Sequence, residues 1–361
     1  MESFIADPFH VSRLLGTQNQ NISIAASGMV IAPVNQAAQE IENISGSKET
    51  PVLASIVFPQ LGPDIRITPF SYSELNFDTL LKNVQKEHSD ITDVAFDQEV
   101  IKQVMGRQFD MQNIKCAVFM SNMQEIKQTS LFIQSLSRVS QKKMAIGGCI
   151  GNLAHDSFDN TFEDLNDMLK SFDRYTEDNP NKYAHTVGMI FAGANVQAAS
   201  ILLATKVNTK AKVEKELKKL KDLKWDETKS AAFMFACCGR GRHFYKGKAH
   251  VESEVFQRLF PKTPLIGIFG NGEIGLTFCP EESEDQTHEE EEETGSAAKR
   301  SKTEVNRRLS LREFSHSFTT VFVLLSFDLS LACFLLELRL FEKILCIDDQ
   351  LAFLGGDDAA A

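Results

Sequence analysis

The chain has 361 residues, 43% of them apolar and 24% charged, which is enough to bury a sizeable core and too apolar for a wholly disordered chain. Its formal net charge is −11, but nine acids fall between residues 281 and 293, and without them the balance would be about −2. A nearly neutral body argues against a general nucleic-acid-binding face, so no nucleic acid is expected among the partners.

Seven cysteines (Cys116, Cys149, Cys237, Cys238, Cys279, Cys333 and Cys346) show no C-x-x-C spacing. Neither a zinc ribbon nor a disulfide framework is expected, and no metal or other cofactor. The first residues include Glu2 and Asp7 and have no apolar stretch of the kind a secretory leader needs. Free thiols without a leader imply a reducing compartment, so a cytoplasmic and nuclear location is expected.

Along the chain, Asp7 to Leu15 reads as a short helix, with Asp7 as N-cap and Pro8 at its first position. Ile22 to Ala26 and Met29 to Ala32 flank Ser27-Gly28 and read as a hairpin. Gln36 to Glu49 reads as a polar loop, followed by strands at Val52 to Phe58 and Ile65 to Thr68. Residues 73 to 112 are polar and helical in flavour, and Cys116 to Met120 is a central strand. Apolar residues at 132, 133, 136 and 139 give Ile126 to Val139 a helical period.

The polar stretch from Asp156 to Asn181 is the expected domain boundary. His185 to Ala192 and Gln197 to Val207 read as a second hairpin about Gly193-Ala194-Asn195. Asn208 and Thr209 can cap a helix running to Lys224, with Val213, Leu217, Leu220 and Leu223 on one face and lysines on the other. A packed, solvated helix accounts for that pattern better than a membrane-surface helix, whose apolar face usually carries a bulky aromatic. Ala231 to Cys237 is a buried strand, Val251 to Phe260 a helix, and Leu265 to Phe269 and Ile274 to Phe278 are strands about a glycine turn.

Residues 281 to 311 turn from acidic to basic and are too poor in apolar side chains to fold, so they read as a disordered insertion. Within it, Lys299-Arg300-Ser301-Lys302 resembles a nuclear-import signal, and Arg307-Arg308-Leu309-Ser310 makes Ser310 a candidate phosphorylation site. Phe318 to Leu336 is long enough to span a membrane, but Asp328 sits near its middle. The fold expected is α+β with mixed β-sheets flanked by helices.

Two motifs bear on chemistry. Gly270-Asn271-Gly272-Glu273-Ile274-Gly275 has the letters of a dinucleotide fingerprint, but a proline-stopped strand follows where a helix should receive the phosphates. A tight turn between paired strands explains it better. Glu273 either caps a turn amide or points into a pocket. In Cys237-Cys238-Gly239-Arg240-Gly241-Arg242-His243, glycines and arginines offer an anion site and cations that favour thiolate. The plain alternative is a polar loop with one buried cysteine. No catalytic signature is found, so a thiol enzyme is not expected and no catalytic residue is assigned.

The stretch FMFACCGRGRHFYKGKAHVESEVFQRLFPKTPLIGIFGNGEIG, Phe233 to Gly275, resembles the C-terminal half of the FIST-domain family. FMFAC, GRG, the FP-x-x-P-L pair and FGNGEIG recur at matching spacing in members that join a FIST region to an F-box. ASGMVIAP (26 to 33), FPQL and ITPF (58 to 70) extend the likeness, and FSHSFTTVFVLLSF (314 to 327) resembles the closing strand of that family. The membrane run is then expected to be a core strand, with no membrane partner.

The resemblance implies two FIST halves, 1–175 and 176–327, with the insertion 281–311 inside the second and an unassigned apolar tail at 328–361. Residues 1 to 20 are too short for an F-box, and the lone Trp225 lies in the second half, so the F-box is read as absent from this chain. It further implies a non-catalytic substrate-recognition component of an F-box-type cullin ubiquitin ligase, promoting polyubiquitination and proteasomal degradation. Its partners would be protein substrates, and the Skp adaptor and cullin where an F-box is supplied. The alternative is a FIST small-ligand sensor. Cys237, Cys238, Arg240, Arg242, Asn271 and Glu273 are the candidate contact residues for either.

Overall fold

A computed structural model of the chain describes residues 22–25, 28–32, 34, 37–42, 64–87, 93–122, 126–141, 143–151, 153–156, 185–280 and 314–328. The expected helix at Asp7 to Leu15, the strand at Val52 to Phe58, the insertion with Ser310 and the tail beyond Asp328 lie outside them. Among the described residues no helix is long and apolar enough to cross a membrane.

Several of the strands, such as those at 230–237 and 320–327, read as nearly continuous apolar runs, the pattern of strands covered on both faces. The elements in order are β1 (Ile22–Ala25), β2 (Gly28–Ala32), β3 (Gln39–Glu42), β4 (Arg66–Ser73), α1 (Glu74–Glu87), α2 (Asp93–Met105), β5 (Ile114–Asn122), α3 (Ile126–Val139), β6 (Ala145–Gly151) and β7 (Leu153–Asp156). They continue with β8 (His185–Ala192), β9 (Val196–Leu203), α4 (Lys210–Lys221), β10 (Ser230–Cys237), α5 (Val251–Leu259), β11 (Leu265–Gly270), β12 (Glu273–Gly275), β13 (Ser315–His316) and β14 (Thr320–Phe327). The fold is α+β with two mixed sheets. One six-stranded sheet has the order β3-β2-β11-β10-β14-β9 and the other β13-β12-β6-β5-β8-β4, while β1 pairs with β7.

Each large sheet has the same internal plan. A central parallel pair (β10/β11 in the first sheet, β5/β6 in the second) is flanked on both sides by antiparallel neighbours. The parallel strands are joined through a helix, α5 in one sheet and α3 in the other, as a crossover requires. At one edge the sheets exchange elements. The first receives β2 and β3 from early in the chain, and the second receives β12 and β13 from late in it.

The sheets pack face to face. Cys116, Val118 and Phe191 of the second sheet meet Phe233, Phe235, Val321 and Val323 of the first in one buried cluster. Phe191 and Phe233 approach to 6.2 Å between ring centroids across that layer. Val213, Leu217 and Leu220 of α4 and Val255 and Phe256 of α5 cover the outer face of the first sheet, on Met234, Phe322 and Leu324. Phe77 of α1, Val100 and Ile101 of α2, and Phe132, Ile133 and Leu136 of α3 cover the second, on Phe70, Phe119 and Ile190.

Three expectations are corrected here. The hairpin about Ser27-Gly28 does not form, since β1 pairs with β7 and β2 with β11 and β3. The hairpin about Gly193 does not form either, since β8 and β9 belong to different sheets. Nor are β11 and β12 partners: β11 pairs with β10 and β2, and β12 with β6 and β13. In each case the glycine turn carries the chain from one sheet to another. The polar stretch read as a loop also contains β3, which the neighbouring β2 recruits as an edge strand. Thr209 caps α4 as expected, its Oγ1 accepting from Lys212 N at 3.3 Å, but the helix stops at Lys221. Of the apolar run from Phe318 to Leu336, residues 320–327 form β14, a strand buried along its whole length.

Candidate functional site

Strands β10 and β11 run parallel, and the register sets Cys237 beside Gly270. The loop after Cys237 and the turn after Gly270 therefore leave the same end of the sheet. The two predicted contact loops converge there, and Cys238 Sγ reaches Asn271 Oδ1 at 3.8 Å. The end of β6 joins them: Asn271 N donates to Ile150 O at 2.7 Å, and Ile150 N to Gly272 O at 2.9 Å. The glycines of the fingerprint make this crossing possible. A Cβ on Gly270 would lie 2.7 Å from Ile150 O, and one on Gly275 would lie 2.9 Å from Ile146 O. Gly270 permits close backbone approach between the sheets and Gly275 between the paired strands β12 and β6, and the last glycine ends a short strand and opens no helix.

Arg240 was expected to face a ligand, and its place is different. It is among the largest fully buried side chains described. A short 3-10 turn at Cys238–Arg240 swings the guanidinium inward. Its Nε donates to Glu252 Oε1 at 2.9 Å, and Nη2 to the same oxygen at 2.5 Å and to Tyr245 Oη at 2.9 Å. Nη1 donates to Ala204 O at 3.2 Å and Phe318 O at 3.1 Å, and Nη2 also to Val207 O at 2.9 Å. Tyr245 Oη donates to Glu252 Oε1, and the Phe244 ring lies 4.4 Å from the guanidinium carbon. A guanidinium has five N–H donors, and this set of acceptors occupies all of them. Burial opposes the charge, but Glu252 and Tyr245 outweigh it and hold Arg240 above its ordinary value. Arg240 is the pin of the loop and offers nothing to an outside anion.

Arg242 is exposed, with Nε donating to Gly247 O at 3.0 Å. Asn271 and Cys238 are exposed as well. Cys237 is buried, and burial beside the Glu273 carboxyl pushes its thiol up. Of the two readings of this loop, a thiolate favoured by the arginines and a polar loop with one buried cysteine, the arrangement matches the second, because the Arg240 charge is spent on Glu252.

Glu273 sits between the sheets with no solvent exposure. Its Oε2 accepts from Thr319 Oγ1 at 2.7 Å and Thr319 N at 3.1 Å, tying β12 to the start of β14. Oε1 has no hydrogen-bond partner. Burial raises the carboxyl to about 7, against the lowering effect of the Thr319 bonds. Glu273 therefore caps an amide, but of β14 across the sheet interface and not of its own turn.

Sequence reasoning missed four participants. Glu252 and Tyr245 lie in ordinary-looking polar sequence. Phe318 takes a left-handed backbone, φ 58°, which no residue letter announces. Glu40, 210 residues from His250, accepts from His250 N at 3.0 Å and from Ser253 Oγ at 2.5 Å, and so caps α5 from the far side of the chain. Only the Arg–Glu pairing had a trace in the sequence: a GRG loop followed by acids at the next helix start.

Residues 162–276 match the FIST C domain. The chain is similar to F-box only protein 22 of Homo sapiens, 27% identical over 267 residues, and to that of Pongo abelii, 26% identical over 267 residues. Both alignments cover 73% of this chain and 57% of the relative, so the chain spans little more than half the length of the curated relatives it matches.

Proposed function

We propose that this chain is the client-recognition part of an F-box-type ubiquitin ligase, with FIST sheets that present a binding surface and perform no covalent chemistry. The observation that carries the reading is the similarity to an F-box protein over 73% of the chain, across both sheets and beyond the FIST C match. The convergent loops agree with it: their one buried cation is internally neutralised and their buried thiol is held protonated, which suits a rigid scaffold better than a reacting centre. Cytoplasm and nucleus are the compartments in which such a ligase would work.

The test is purification of the tagged chain from cells with the proteasome inhibited. Skp adaptor and cullin in the eluate, together with client proteins that accumulate under inhibition, are the expected result for a chain carrying or recruiting the ligase arm. Clients without the adaptor would identify a recognition part that competes with, or is completed by, an F-box elsewhere. Absence of both would overturn the reading.

A small-ligand sensor is the second reading, favoured by one observation: Glu273 keeps a buried oxygen without a partner at the sheet ends. Thermal-shift screening of small cationic and hydrogen-bond-donating metabolites, compared between the wild type and Glu273→Gln, tests it. Stabilisation lost in the variant would favour the sensor, and no stabilisation by any compound would remove it.

A further inference from the structure

We propose that the exposed ring of Phe318 and the cations around it form a docking patch for an acidic peptide segment carrying an apolar side chain, supplied by a client protein. The proposal rests on the recognition role above and names the chemistry of its contact.

Three large apolar side chains stand exposed among the described residues, and Phe318, 54% exposed, is the only aromatic one. It holds that position in a left-handed backbone, φ 58°, which costs a non-glycine residue free energy. Two hydrogen bonds to its carbonyl enforce the conformation, from buried Arg240 Nη1 at 3.1 Å and from Thr205 Oγ1 at 3.2 Å. The saturated Arg240 network thus fixes the backbone that presents the ring. The ring lies over Gly239, where an added Cβ would come within 2.7 Å of it. An aromatic side chain presented at the surface from a backbone fixed by buried hydrogen bonds is the form an interface anchor takes.

The surroundings choose the partner. Thr205, Gly239 and Arg240 meet Phe318, and the loops that carry them, 204–209 and 238–248, contain no Asp or Glu. Lys206, Arg242, Lys246 and Lys248 are exposed on these loops. A basic edge beside one apolar anchor complements acidic sequence with an embedded apolar residue. Such an edge also steers encounter and makes it salt-sensitive. A single-stranded nucleic acid would use the same cations, but it stacks along several aromatic side chains, and among the described residues only Phe318 is a large exposed one.

The experiment pans random-peptide phage against the full chain and measures the enriched peptides by fluorescence anisotropy. Enriched sequences are expected to carry Asp and Glu around Leu, Ile, Phe or Trp, and to bind more weakly as salt rises. Phe318→Gly should weaken binding at least tenfold while leaving thermal stability unchanged or raised, since glycine takes this backbone without strain. Arg242→Glu with Lys248→Glu should weaken it by a similar factor. Peptides without acidic bias, or binding untouched by Phe318→Gly, would overturn the proposal. So would an oligothymidylate probe that displaces the peptides. Client capture retained by Phe318→Gly would overturn the patch while leaving the recognition role standing, whereas loss of adaptor binding alone would not touch the patch.

Discussion

Two charged residues at the sheet ends behave in opposite ways because their partners differ. Arg240 is buried with a carboxylate, a phenol and three backbone carbonyls, so it is saturated. Arg240→Ala leaves Glu252 buried and uncompensated, and should cost about 3–5 kcal/mol in chemical denaturation. Arg240→Lys should recover little of it, because an ammonium cannot reproduce the planar fork. A loss below about 1 kcal/mol for the alanine variant would mean that the pair is not formed. Glu273 is buried with one oxygen satisfied, and its folded value is raised from 4.5 to about 7. The folded chain therefore binds this proton more tightly than the unfolded chain. The associated stability is full below about pH 4.5, falls as pH rises towards 7 and is constant above, an effect on the order of 3 kcal/mol at most. Glu273→Gln should remove that slope, and denaturation midpoints across pH 5 to about 8 compared between the two proteins measure it. Equal slopes would show that the carboxyl is ionised throughout.

At the scale of elements, the least expected device is the capping of α5. His250 precedes the helix in a left-handed conformation and makes no side-chain cap bond of its own. Glu40 of β3 performs the capping, and Ala38 N donates to Gln257 Oε1 at 3.0 Å, so helix side chains also close the outer edge of that strand. Glu40→Ala should lose about 1–2 kcal/mol, as cap removal does, and should speed amide exchange in the first turn of α5 and in β2 together. Faster exchange in the helix alone would mean that the hairpin docks by other contacts. In the other sheet the decisive element contact is backbone on backbone. A Cβ on Gly148 would fall 2.1 Å from Phe119 O, so β6 runs through Gly147 and Gly148 with its backbone close against β5. Gly148→Ala should spread β5 from β6 and yield little soluble protein, and a variant with wild-type stability would refute that register.

At the scale of the whole molecule, neither sheet is complete within one stretch of chain. The early strands β2 and β3 finish the later sheet, and the late strands β12 and β13 finish the earlier one. The two sheets also share the buried layer of Phe191, Phe233 and Phe235. Exchange of edge strands couples their stabilities, so unfolding followed by far-ultraviolet circular dichroism and by Trp225 fluorescence should give one coincident transition. Two separated midpoints would mean that the sheets fold independently despite the exchange.

Local information was enough for much of this. Period, capping and turn residues act within a few neighbours, so the helices expected at 126–139 and 251–260, the cap at Thr209, the buried strands β5 and β10 and the rejection of a dinucleotide site were legible locally, whereas β14 was legible only through the family resemblance. The convergence of the Cys238 and Asn271 loops was also legible, since two buried strands joined by a helix imply parallel neighbours whose loops leave one end. Strand partnership was not. A glycine turn states that the chain reverses, not whether the next strand pairs with the last or crosses to another sheet, and three turns crossed. Nor could the sequence say that Arg240 points inward, that Glu40 caps a helix 210 residues away or that Phe318 is held outward. Those outcomes depend on contacts between distant segments, which exist only once both sheets have closed on each other and burial has forced every polar group to find a partner.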